Sequence, residues 1–500
     1  MRMTSATAPV GRAQGNGAGR LSTGIRGLDV VLLEGLVPGR VYVARGGPGT
    51  GKTTLALNFL TAVRNGRSSL LVTLSQSESQ VRENAAAVGI DMSGVEVLDL
   101  APTEDAFTDV DAYDIFSPAD VERKPTTQRI MQTIDRLKPE RACVDSITQL
   151  RYLSPDAHQF RKQLMALARY LTGQGATVLF TSEASREAPD DDVQFLCDGV
   201  INLEYGPDGR TISVSKFRGS NFIEGPHSMR IARGGVRIAP RLLPLQHERE
   251  FVVESLPSGI PELDEHLQGG IERGTVTIIT GPTGVGKTSL GLQFMKEAAG
   301  RGERSVVYTF EENLSTLVQR CSAISIPTAE MTRTGKLSIV QIEPLDYSPD
   351  EFAGQVRQEV EDREARMVMV DSVVGYQLSL RHRDLDRHLH ALCRYLRNMG
   401  VTTILIDEVE AITGDFMVTE HHISHLADTV VFLRYLELGG QIHRAIGVLK
   451  KRTGDFDKSL RELEITRYGI KVGRPLTGLR SILTGTPELA AAAKDVSAQP

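Results

Sequence analysis

Apolar positions along this chain gather into short runs: SLLVTL (69–74), VEVLDL (95–100), ACVD (142–145) and ATVLFT (176–181). The second half repeats the habit with VVYTF (306–310), VMVD (368–371) and VTTILI (401–406). Amphipathic stretches separate them. Near-continuous apolar strands alternating with helices predict a mostly parallel sheet covered on both faces. Late in each half the pattern turns to alternation, TISVS (211–215) and RELEI (461–465), which predicts antiparallel strands extending each sheet.

The halves also share words. LSTGIRGLD (21–29) is echoed by LPSGIPELD (256–264), each upstream of a glycine-rich loop. The first loop, GGPGTGKTT (46–54), follows the β-rich RVYVA and precedes the helical LALNFL. The second, GPTGVGKTS (281–289), stands between TVTII and LGLQF. This repetition predicts two similar α/β P-loop domains in tandem, over 21–245 and 246–487. The flanks, 1–20 and 488–500, read as a disordered tail and a short C-terminal tail, and the seam PRLLPLQH (240–247) as a linker.

A strand, a G-x-x-x-x-G-K-T loop and a helix in that order predict a nucleotide site. Glycines let successive backbone N–H groups turn around an anion, and the helix N-terminus adds its positive end. The nucleotide-binding candidates are Gly47, Gly49, Gly51, Lys52, Thr53 and Thr54, with Gly284, Gly286, Lys287, Thr288 and Ser289 in the second loop. Lys52 and Lys287 suit the β- and γ-phosphates of a nucleoside triphosphate, and Thr53 and Thr288 suit Mg²⁺.

Charge trims the alternatives. Lys+Arg 57 against Asp+Glu 63 gives a net −6, which argues against a general basic surface for nucleic acid. The four cysteines form no C-x-x-C pair and read as buried thiols of a reducing compartment. No apolar run approaches the roughly 18 residues that a membrane span needs, so no membrane association and a cytoplasmic location are expected.

A Walker-type site needs a carboxylate at a strand end to hold the Mg²⁺ shell, and Asp145 and Asp371 fill that position. Hydrolysis also needs a group that polarises the attacking water. The second half offers Glu311 and Glu312 after its second apolar strand, where the first half reads Ser75-Gln76; Gln76 suits positioning a water, and the nearby Glu78 is a candidate partial substitute for the missing carboxylate. The halves are therefore chemically unequal. Cations come late in each: Lys216 and Arg218, then Lys450 and Arg452, at nearly the interval that separates the loops. On such a fold they suit a neighbouring subunit's triphosphate.

Taken together, LSTGIRGLD, GGPGTGKTT, VDSIT and KFRG in one half, and GPTGVGKTS, TFEEN, VDSVV, HISHLADT and KKRTGDFDK in the other, resemble the KaiC family. This is a RecA-superfamily group of clock-type ATPases and autokinases, and the resemblance spans about residues 20–487. It implies two RecA-like P-loop NTPase domains, assembled as a homohexamer of two stacked rings with ATP between adjacent subunits. By the same resemblance Glu311 and Glu312, with Lys287, are the catalytic set of the second domain. Lys216, Arg218, Lys450 and Arg452 reach nucleotide across the subunit interface. The family's first-domain glutamate pair falls on Ser75-Gln76, so the first domain is expected to bind ATP mainly to hold the ring together.

The family phosphorylates an adjacent Ser-Thr pair, matched here by Ser424 and His425, with Thr419 nearby. One phosphorylated serine acting as a switch is the sharper expectation; an ordinary serine in an ATPase without kinase activity is the plainer one. His421 and His425 are one helical turn apart but lack a third ligand, so no site beyond Mg²⁺ is expected. Little sequence follows Pro487, which argues against KaiA-type activation and leaves a KaiB-like partner open. Two other functions share the loops: a RecA- or DnaB-like DNA-dependent motor, disfavoured by the acidic balance, and an ATP-gated scaffold without turnover.

Overall fold

A computed structural model describes residues 19–62, 67–101, 123–152, 154–183, 189–207, 209–380, 385–409, 423–438, 440–477, 479–480 and 488–489. The chain divides into two compact units, Met1–Arg241 and Leu242–Pro500. Among the described residues the first carries nine strands: β1 (Val41–Gly46), β2 (Ser69–Thr73), β3 (Val95–Asp99), β4 (Arg141–Asp145), β5 (Thr177–Glu183), β6 (Gly199–Gly206), β7 (Gly209–Phe217), β8 (His227–Ala232) and β9 (Gly235–Ala239). They form one sheet in the order β3-β2-β4-β5-β1-β6-β7-β8-β9. The first six are mutually parallel, and from β7 onward each strand runs antiparallel to the last.

The second unit opens with a two-stranded ribbon, β10 (Ser255–Leu256) and β11 (Ile271–Glu272). Its main strands are β12 (Val276–Gly281), β13 (Arg304–Thr309), β14 (Leu337–Gln341), β15 (Ala365–Asp371), β16 (Thr402–Glu408), β17 (Thr429–Leu438), β18 (Gln441–Lys451), β19 (Arg461–Thr466) and β20 (Gly469–Pro475). The order β14-β13-β15-β16-β12-β17-β18-β19-β20 repeats the first sheet strand for strand. Both alternating runs are antiparallel strands, but at different places. TISVS lies in β7, whose counterpart is β18; RELEI lies in β19, one strand further out.

Alternation within the strands builds the core. Ile278, Val306, Tyr308, Val368 and Val370 point into one cluster of the second unit, and Ile279, Val307, Met367, Met369 and Ile406 into the other. Both sets are buried, hence the uninterrupted apolar runs. Each such side chain contributes about 1.5–3 kcal/mol relative to exposure. The helices after the loops, Lys52–Thr61 and Lys287–Gly300, are buried on most faces for the same reason, with Leu55, Leu57, Phe59 and Leu60, then Leu290, Leu292, Phe294 and Met295. The shared opening words are structural: Thr23 Oγ1 donates to Asp29 Oδ1, and Ser258 Oγ to Asp264 Oδ1, both at 2.7 Å.

Candidate active site

Each phosphate loop leaves the C-terminal end of a strand with parallel neighbours on both sides, β1 between β5 and β6 or β12 between β16 and β17. Glycine is required at two points. Gly46 and Gly281 pass so close to the next strand that a Cβ would meet Leu203 O at 2.2 Å and Leu433 O at 2.4 Å. Gly51 and Gly286 cap the following helices at φ 103° and 115°, left-handed backbone that L side chains resist. Gly47, Gly49 and Gly284 complete the turns, and Thr54 and Ser289 follow in the first helical turn.

The lysines are buried and anchored alike. Lys52 Nζ donates to Gly46 O at 2.9 Å and Gly47 O at 2.8 Å. Lys287 Nζ donates to Gly281 O at 2.8 Å and Pro282 O at 2.9 Å. Burial lowers the pKa of both, opposed by nearby carboxylates, Glu183 then Asp145 for Lys52, and Glu408 then Asp371 for Lys287. Thr53 Oγ1 donates to Asp145 Oδ2, and Thr288 Oγ1 to Asp371 Oδ2, each at 2.8 Å. Burial pushes the Asp371 carboxyl up to about 6 against that hydrogen bond. A hydroxyl and a carboxylate side by side are hard oxygen donors suited to Mg²⁺, which takes few protein ligands when phosphates supply the rest. No group of three or more His, Cys, Asp or Glu forms a metal cluster among the described residues. His421 and Thr419 lie outside them.

The units differ beside β2 and β13. The turn is the same: Gln76 N donates to Thr73 Oγ1, as Glu312 N does to Thr309 Oγ1, both at 3.3 Å. Glu312 is gripped by Arg320 through Nε at 3.2 Å and Nη2 at 2.6 Å. Glu311 Oε1 accepts from Ser372 Oγ at 2.8 Å. In the first unit Ser75 and Gln76 leave these places without a carboxylate. Glu78 does not replace it: its Oε1 is held by Arg82 Nε at 2.8 Å, one turn along the same helix.

Lys216, Arg218, Lys450 and Arg452 lie away from their own loops. Lys450 is level with Val430, and Val430 with Ile278, whereas the loop leaves from Gly281. Lys216 is level with Val200 and Val43, whereas the other loop leaves from Gly46. At about 3.3 Å per residue this puts the cations roughly 10 Å back along the strand and two strands across. Lys450 Nζ donates to Ser424 O at 2.9 Å and Arg452 Nη2 to His425 O at 3.1 Å. Lys216 Nζ donates to Gln194 O at 2.7 Å, and Arg218 pairs with Asp198 at 3.8 Å. Ser424 sits in a short 3-10 turn, Ile423–His425, beside this cationic end.

Sequence reasoning passed over Glu183 and Glu408. Register sets Glu183 opposite Gly46 and Glu408 opposite Gly281, so both units place a glutamate beside the first loop glycine. The signal was present: TSE and IDE each end a buried strand with Glu.

A family model described as "ATPase: KaiC" matches residues 21–242 and again 256–477. The circadian clock oscillator protein KaiC of Thermosynechococcus vestitus (strain NIES-2133 / IAM M-273 / BP-1) is 28% identical over 487 residues, covering 94% of this chain and 92% of its own. Those of Prochlorococcus marinus (strain MIT 9313) and Parathermosynechococcus lividus are each 27% identical over 481 residues, covering 94% of this chain and 95% and 88% of their own.

Proposed function

The chain belongs to the KaiC ATPase family, with two tandem RecA-like domains, and from that premise we propose that it is an ATP-driven ring whose second unit turns over ATP. One observation carries this reading: in both units the paired cations lie at the end of the sheet opposite their own phosphate loop. A complete site then joins one protomer's loop to the next protomer's Lys450 and Arg452, or Lys216 and Arg218. Such cations stabilise charge on the transferring phosphoryl group. A homohexamer is the closed form that the family resemblance suggests.

Within the second unit Lys287 binds phosphate, and Thr288 with Asp371 holds Mg²⁺, which neutralises charge on the phosphates. Glu311 accepts the proton of the attacking water, oriented by Ser372. Glu312, clamped by Arg320, supports the turn. Ser424 lies beside cations that serve another protomer's nucleotide, so any phosphorylation of it crosses the interface. The first unit keeps the lysine, threonine and aspartate but not the glutamate pair, and binds ATP chiefly to hold the ring.

Light scattering with and without Mg²⁺-ATP tests the assembly. The expected result is a monomer or small oligomer that becomes a single ring species with nucleotide. A monomer with bound Mg²⁺-ATP and full activity would refute the shared site.

A further inference from the structure

The first unit carries Ser75-Gln76 where the second has Glu311-Glu312, yet a carboxylate flanks its loop from the other side. β5 runs parallel to β1 with Glu183 opposite Gly46, so their backbones are neighbours at about 4.8 Å. Gly46 O is one of the two carbonyls that anchor Lys52 Nζ. The Glu183 backbone is fixed by its N–H donating to Thr148 Oγ1 at 2.8 Å, and Thr148 is buried. Its side chain is exposed at the strand end.

The other carboxylates around this loop are committed. Asp145 accepts from Thr53 and from Thr181. Glu78 is tied to Arg82, and Asp99 accepts from Glu78 N and Ala101 N, both at 2.9 Å. Among the described residues no side chain hydrogen-bonds the Glu183 carboxylate. The second unit repeats the placement with Glu408, although it also has Glu311.

We propose that Glu183 is the general base of the first unit, giving that unit slow ATP turnover without a glutamate at the end of β2. The water oxygen attacks the γ-phosphorus, and its bond to the β–γ bridging oxygen breaks. The electron pair leaves with ADP, and the water's proton passes to the Glu183 carboxylate. A glutamine such as Gln76 can hydrogen-bond a water but cannot take its proton. This inference rests on reading the first loop as an ATP site and is separate from turnover in the second unit.

The test uses the full chain carrying Lys287→Ala, which disables the second loop, so that binding of a fluorescent ATP analogue and phosphate release report the first unit. Adding Glu183→Gln should leave analogue binding unchanged or tighter, because a negative charge beside the phosphates is removed, and should lower phosphate release at least tenfold. Analogue binding also serves as the check that the variant folds. Unchanged release overturns the proposal, as does a Lys287→Ala chain that binds the analogue but releases no phosphate. Failure of that chain to bind the analogue at all refutes the ATP reading of the first loop instead, and this inference with it.

Discussion

Ser372 Oγ donates to Glu311 Oε1 at 2.8 Å while accepting from Gly375 N at 3.2 Å, so one hydroxyl caps a helix and aims a carboxylate. Its neighbour Glu312 instead spends both oxygens on Arg320. The adjacent glutamates are thus expected to differ in function. Glu311→Gln should cut phosphate release by about 10²–10⁴, Glu312→Gln by less than about tenfold, and Ser372→Ala by an intermediate factor. Equal losses at 311 and 312 in steady-state assays would contradict this division.

Asp371 gives a pH prediction. Its carboxyl titrates near 6 in the folded protein, above its value of 3.8 in an open chain. The folded state therefore holds a proton that the unfolded state releases, and stability falls as pH rises between those values. Asp371→Asn should raise the Tm of nucleotide-free protein by a few degrees at pH 7.5, with the gain vanishing near pH 4. The same variant should lose Mg²⁺-dependent turnover. Thermal scans at both pH values check the sign; a gain that grows toward low pH would be the wrong one.

The two loops should separate assembly from turnover. Lys52→Ala removes an ammonium anchored at Gly46 O and Gly47 O, so ATP-dependent ring formation should be lost. Lys287→Ala should keep the ring and lose most phosphate release. Light scattering and activity on the same samples would expose the opposite pattern.

Ser424 provides a covalent readout. Intact mass after incubation with Mg²⁺-ATP should show one added phosphate per chain, absent in Ser424→Ala. A phosphate that persists in that variant would place the modification elsewhere. No addition to the parent would leave an ATPase alone.

The placement of the loops, lysines, threonines and aspartates was legible because it is set locally: Gly51-Lys52-Thr53 and Gly286-Lys287-Thr288 are contiguous, and Asp145 and Asp371 end buried strands. Glu183 and Glu408 escaped notice because they join the site through strand register, which pairs them with Gly46 and Gly281 across long stretches of chain. Glu78 misled for the reverse reason. It is near in sequence, but as the first residue of its helix it faces Arg82 four positions on. The direction of Lys450 also depended on register, since only the antiparallel run of β18 carries it back to the far end of β12.

Subunit complementation tests the shared site most directly. Lys287→Ala chains lack the second loop's lysine but keep Lys450 and Arg452; Lys450→Ala/Arg452→Ala chains have the converse defect. Each alone should release little phosphate from the second unit, while mixed rings contain interfaces that pair an intact loop with intact cations. Phosphate release that rises on mixing, well above the sum of the two separate preparations, is the predicted result. A mixture no more active than that sum, or a Lys450→Ala/Arg452→Ala chain as active as the parent, would contradict it.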